Sequence, residues 1–287
     1  MKKLIVNGDD FGLSPEVNAG IVKAHRDGIL TSASLMVASP AATAAAELAK
    51  DHPKLDVGLH AVVCRGKSAQ DPYRLGGAAD PAGNFMENPV SAGMRYYFDR
   101  SLRAKMADEL RAQVERHLEL IGYLNHIDGH LNFHVHPVLA DILVDLAQEY
   151  KVPCIRLPRE PVMTTLRLRR DHLSRKLIES VIFRSLSKRT GQQMDARGLK
   201  STDRLFGLHQ SGNVTEDYTL GIIERLRDGV TEVYFHPAVD IGGTPPAASS
   251  QREVEILTSP RVRAAIERCG IQLTTFAELA IASNGRA

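Results

Sequence analysis

The chain has 287 residues, 43% of them hydrophobic and 24% charged. That composition suits one large α/β domain and excludes a collagen, a coiled coil and a wholly disordered chain. A formal net charge of +2, no Trp and only 5% aromatic residues argue against nucleic acid as a partner.

In chain order the pattern is of short apolar strands alternating with helices. Leu4-Ile5-Val6 reads as a strand that ends at Asn7-Gly8-Asp9-Asp10. Ser14-Pro15 starts a helix, with Ser as the cap and Pro in the first turn. Ser34 to Val37 is a second strand, followed by an Ala-rich helix through Leu48. Leu55 to His60 is a third. Residues 64–98, rich in Gly, Pro and Asp, read as a long loop. Apolar residues at Met106, Leu110, Val114, Leu118 and Ile121 predict a helix from about Leu102. His126 to His130 is the fourth strand, with a helix from Pro137 to about Tyr150. Pro153 to Leu157, Leu205 to Leu208 and Glu232 to Phe235 are the fifth to seventh. A helix lies near Tyr218 to Arg227, between the last two. Ile271 to Thr274 is a candidate eighth strand before a C-terminal helix.

Strands that alternate with helices build a parallel sheet. Seven or eight such units in one domain over residues 1–287 suit a (β/α) barrel-like fold, similar to a TIM barrel, better than an open sheet. No GxGxxG follows the first strand, which argues against dinucleotide binding. Three scattered cysteines without a CxxC suggest a reducing compartment, and two carboxylates arrive too early for a signal-peptide core. A cytoplasmic protein is expected.

The chemistry collects at strand ends. Asp9 and Asp10 close the first strand and His60 the third; Asp128, His130, His134 and His136 accompany the fourth; His209 follows the sixth, and His236 closes the seventh. In a parallel barrel those ends converge on one face, where active sites are built. Adjacent carboxylates need compensation, which a divalent cation would give. Carboxylate with imidazole suits zinc, nickel, cobalt or iron, and magnesium is not excluded. Residues 130, 132, 134 and 136 would share one face of an extended chain. Not all three of those histidines need be ligands, and His136, which precedes Pro137, also serves to end the strand.

The segments Asn7-Gly8-Asp9-Asp10-Phe11-Gly12, Asn18-Ala19-Gly20-Ile21, Val57-Gly58-Leu59-His60, Ile127-Asp128-Gly129-His130 and Tyr234-Phe235-His236-Pro237 appear in the order found in a known family. On them the chain resembles the YdjC-like (ChbG-type) carbohydrate deacetylases. Asp128-Gly-His-Leu-Asn-Phe-His-Val-His-Pro137 looks like the hopanoid-associated, HpnK-type branch. The resemblance implies a (β/α) barrel-like fold and metal-dependent removal of acetyl from N-acetylated sugars. It implies Asp10, His60 and His130 as metal ligands, Asp9 as general base and His236 as general acid. His134, His136, Asn132 and Arg156 are expected near the substrate. The metal would be Zn or Mg, with Ni or Co as alternatives. In the hopanoid branch the implied substrate is an N-acetylglucosaminyl group on a bacteriohopane polyol. Asn132 stands where many family members have His, and Ala61-Val-Val-Cys64 replaces a Leu-x-Leu-Thr pattern. Both departures bear on sugar specificity.

Residues 163–190 hold eight Lys/Arg and two acids, with a rough apolar stripe. They read as a helical insert, either a solvated cap or an interfacial segment meeting anionic lipid. The competing functions are a soluble chitooligosaccharide deacetylase, a non-catalytic sugar- or lipid-binding protein on the same scaffold, and a phosphoesterase. Asp9 beside Asp10 argues against a pure binder, which needs no base. A phosphoesterase would want more carboxylates. A homodimer is compatible with the sequence.

Overall fold

A computed structural model describes residues 1–243 and 245–284. Among these residues eight parallel strands are present: β1 (Lys2–Phe11), β2 (Ser32–Leu35), β3 (Asp56–Ala61), β4 (His126–Gly129), β5 (Cys154–Ile155), β6 (Arg204–Phe206), β7 (Gly229–Phe235) and β8 (Gln272–Leu273). The helices of the N-terminal half are α1 (Pro15–Arg26), α2 (Ala42–Asp51), α3 (Pro89–Phe98), α4 (Leu102–Ile121) and α5 (Pro137–Glu149). Those of the C-terminal half are α6 (Val162–Leu168), α7 (Leu173–Asp195), α8 (Glu216–Glu224), α9 (Ala248–Leu257), α10 (Pro260–Arg268) and α11 (Phe276–Asn284).

The sheet order is β5-β4-β3-β2-β1-β7-β6. The sheet curls until its two edges nearly meet. Cys154 bridges to Lys200, just ahead of β6, with Ile155 N–H donating to the Lys200 carbonyl at 3.0 Å. The result is a seven-stranded, incompletely closed barrel. The eighth strand does not take a stave of its own. It pairs only with Lys3 and Leu4, while β2 takes β1 further along, at Asn7 and Gly8.

The strands alternate in an unusual sense. Outward residues such as Val6, Val57, Leu59, Ile127, Ile155 and Val233 enter the main apolar core under the helices. Inward ones are polar: Asn7, Ser34, His60, His126, Asp128, Arg156 and Glu232 are all buried. The barrel floor is apolar, made of Ile5, Cys154 and Phe276. The His126 ring stacks on Phe276, with centroids 3.9 Å apart and planes at 21°. Gly58 makes room for it: a Cβ there would stand 2.3 Å from the His126 ring. The Asp56 carboxylate accepts from the Ala277 N–H at 2.9 Å and fixes the start of α11.

Two expectations change in detail. The 64–98 stretch is not all loop, since it carries a single-turn helix (Pro72–Leu75) and α3. The Asn88 side chain caps α3 and Pro89 occupies its first turn. The basic insert is two helices, α6 and α7. Among the described residues no helix is long and apolar enough to cross a membrane.

Candidate active site

Two neighbouring residues of a regular strand face opposite ways. Asp9 and Asp10 nevertheless both meet partners at the mouth of the barrel. The reason is a break in register between Gly8 and Phe11, where Asp10 takes φ 67°. Left-handed backbone is tolerated by Asp better than by most side chains. Here it turns the second carboxylate toward the first one's side.

Asp10 Oδ1 lies 2.9 Å from His130 Nδ1 and 3.2 Å from His60 Nε2. These three donor atoms lie within 4.8 Å of one another. His60 comes from the end of β3, and its other nitrogen, Nδ1, faces Asp128 Oδ1 at 2.7 Å. A carboxylate behind a histidine fixes the ring and leaves the far nitrogen for a ligand, which is how metal-binding histidines are commonly held. One oxygen and two imidazole nitrogens form a donor set suited to a divalent transition metal. Burial disfavours charge on His60, but Asp128 and Asp10 outweigh it and raise the ring to about 10. Burial likewise disfavours ionised Asp10, yet His130 and His60 hold it well below the usual carboxylate range.

Beneath this cluster lies a charge hub. Arg156 Nη1 and Nη2 each reach an oxygen of Asp9 at 2.8 Å. Nη2 also lies 2.8 Å from Asp128 Oδ2, and Nε donates to Glu232 Oε1 at 2.8 Å. Burial alone would depress the guanidinium, but Asp128, Asp9 and Glu232 raise it well above its ordinary value. Glu232 is pushed up to about 7, first by burial and then by Asp128 and Asp9, against Arg156. Asn7 Nδ2 donates to Asp9 Oδ1 at 2.7 Å and to Ser34 Oγ at 2.8 Å. Ser34 Oγ donates to Asp128 Oδ2 at 2.7 Å. A second set of close donors, Asp9, His60 and Asp128, has its carboxylates already engaged by Arg156.

The structure brings Asp9, Asp10, His60 and His130 together, sets Arg156 on Asp9, and engages His134, His136 and His209 elsewhere. The 130–136 segment is not extended. Leu131 (φ 55°) and Asn132 (φ 59°) are left-handed, so the chain coils into a short turn. His130 points to Asp10 from it. His134 is enclosed at 1% exposure, and burial lowers its ring to about 4. The His136 ring faces the Gly93 carbonyl of α3 at 3.1 Å. Asn132 lies against the Tyr234 hydroxyl. Arg156, expected at the substrate, is 1% exposed and committed to three carboxylates, since a buried charge requires partners. His209 faces Glu179 of α7 at 3.5 Å. His236 follows Phe235, the register partner of Gly8, so it stands level with Asp9. Its backbone N–H donates to Glu253 and its ring meets Tyr234 edge-on at 5.6 Å. The residue reading gave no role to Asp128 or Glu232. The signal for Glu232 was there: a lone acid inside an otherwise apolar strand.

The sequence profile of the YdjC-like protein family matches residues 3–268. A carbohydrate deacetylase of Brevibacillus brevis is 34% identical over 284 residues, covering 96% of this chain and 99% of that protein. A carbohydrate deacetylase of Geobacillus stearothermophilus is 34% identical over 280 residues, covering 96% of each. Among solved structures, an Enterococcus faecalis V583 protein named as a candidate for cellobiose-phosphate cleavage superposes with a TM-score of 0.75. It is 26% identical and covers 97% of this chain and 99% of its own.

Proposed function

Because the chain belongs to the YdjC-like family, we propose that it is a metal-dependent hydrolase that removes the acetyl group from an N-acetylated amino sugar. The observation that carries the reading is the convergence of Asp10 Oδ1, His60 Nε2 and His130 Nδ1 beside a second, separately tethered carboxylate, Asp9. Asp10, His60 and His130 would hold the metal. When bound, a divalent ion polarises an amide carbonyl and makes water a better nucleophile near neutral pH.

The chain's own residues supply the rest. Asp9 accepts the proton of the attacking water. Arg156 and Asn7 fix the orientation of Asp9, and Arg156 offsets its charge. Asp128 keeps the His60 ring aimed at the cluster. His236, level with Asp9 on the neighbouring strand, gives a proton to the departing amine. Asn132, held against the Tyr234 hydroxyl, is the substrate-facing side chain of the 130–136 turn.

The narrower reading is that the sugar is an N-acetylglucosaminyl group on a bacteriohopane polyol, released as the glucosaminyl lipid and acetate. The Asp128 to Pro137 sequence supports that branch. Three free cysteines fit a cytoplasmic placement.

The test is acetate release from an N-acetylglucosaminyl hopanoid and from di-N-acetylchitobiose, each with and without a chelator. Chelator-sensitive release from the hopanoid supports the whole reading. Release from chitobiose alone keeps the chemistry and discards the lipid. In the same assay Asp9→Asn should retain metal and lose about 10²–10⁴-fold in turnover. Full activity in that variant would remove Asp9 as the base.

A further inference from the structure

Helix α7 leaves more large apolar side chains outside than it packs inside. The residues it buries are Lys176, Ser187, Thr190, Gly191 and Met194. Its outer face carries Leu173, Leu177, Ile178, Val181 and Ile182, with Val181 71% and Ile178 61% exposed. At about 100° per residue these five, with Arg184 and Lys188, fall within one half of the helix surface. A surface helix normally turns its apolar stripe to the core. The packed side of α7 brings only Phe183, Leu186 and Met194 to the core and is otherwise secured by polar contacts. Lys176 is paired with Asp171, Gln210 donates to Asp171 at 3.0 Å, and Arg189 reaches Asp141 at 2.7 Å.

The cations on and before this face are unspent. Arg167, Arg170, Arg184 and Lys188 are exposed and form no ion pair among the described residues. A second apolar stripe lies on α3, where Val90, Met94, Tyr97 and Phe98 recur at helical spacing and are exposed. Both helices pack on α5 and touch the 130–136 turn that carries His130. Both helices therefore stand against the segment that supplies His130.

We propose that α7 and α3 form a docking face for an anionic membrane surface. Apolar side chains interleaved with unpaired Arg and Lys match the boundary between anionic headgroups and acyl chains. A second copy of the chain is the poorer match. A two-fold contact through the same patch would set Arg170, Arg184 and Lys188 against their own copies. Docking this way would hold the barrel mouth at the lipid surface. The inference stands apart from the identity of the substrate, because it rests on α7 and α3 and not on the metal cluster.

The experiment is flotation of the full-length protein with vesicles of phosphatidylcholine alone or enriched in phosphatidylglycerol, at low and high salt. Partition should be at least tenfold stronger to the anionic vesicles and should weaken with salt. Val181→Ser combined with Ile182→Ser, and Arg184→Gln combined with Lys188→Gln, should each reduce it about tenfold. Both variants should keep the wild-type thermal midpoint and the rate on a water-soluble substrate, which tests the chemistry separately. No partition, equal partition to neutral vesicles, or unchanged partition of the variants would overturn the proposal. So would self-association, measured by sedimentation, that the same substitutions abolish, because the occupant would then be a second copy.

Discussion

Arg156 is one cation among Asp9, Asp128 and Glu232, all of them buried. Its removal would leave three carboxylates in a low-dielectric interior with no fixed counter-charge. Arg156→Met should therefore cost about 3–5 kcal/mol of stability. Arg156→Lys should recover only part of this, because an ammonium cannot span two oxygens of Asp9 and also reach Glu232. Urea unfolding of both variants checks the order, and a wild-type midpoint for Arg156→Met would contradict it. At this scale the sequence was legible where a polar residue closes a strand: that pattern marked Asp10, His60 and His130 among others, and the family resemblance alone singled them out as one set. The sequence was silent on partners. Arg156 also closes a strand, and nothing in one dimension says whether such a residue meets a ligand or three buried acids.

The elements were mostly legible, because apolar periodicity and caps are local. The α4 boundaries and the start of α1 follow from them. The 130–136 turn was not legible. Leu131 is a poor candidate for left-handed backbone, and only the surrounding structure holds it there. Helix α10 escaped notice although Ser259-Pro260 announces it. The close packing of β3 on β4 yields a sharper test. Gly58→Ala would place a methyl 2.3 Å from the His126 ring, which is already wedged against Phe276. The ring also lies 3.3 Å from Ser34 Oγ, the group that donates to Asp128. Gly58→Ala should cost about 1–3 kcal/mol and weaken, at a distance, the metal binding proposed for Asp10, His60 and His130. Calorimetry and metal titration would show both effects, and loss of neither would mean that the strand absorbs the methyl.

At the scale of the whole molecule the polar interior makes the protein sensitive to acid. His117 is fully buried on α4 and held neutral, down to about 3, chiefly by burial with His126 adding to it. An unfolded chain takes up a proton at this position as pH falls below about 6.5. The folded chain does not, so stability present above that pH is lost on the way down. At pH 5 the loss from His117 alone is about 2 kcal/mol. Unfolding midpoints measured from pH 7 to pH 5 should fall, and His117→Gln should flatten the slope. An unchanged slope in that variant would assign the acid sensitivity elsewhere. One consequence of the barrel floor concerns the order of synthesis. Every residue of the proposed site precedes Pro237, yet Phe276 comes from the last helix. A nascent chain halted before Thr275 would have every group of the proposed site and no stopper beneath them. Water could then reach Arg156 and Glu232 from below, and the tethers on Asp9 and Asp128 would compete with solvent. The barrel is therefore finished from below by Phe276, as a drain is closed.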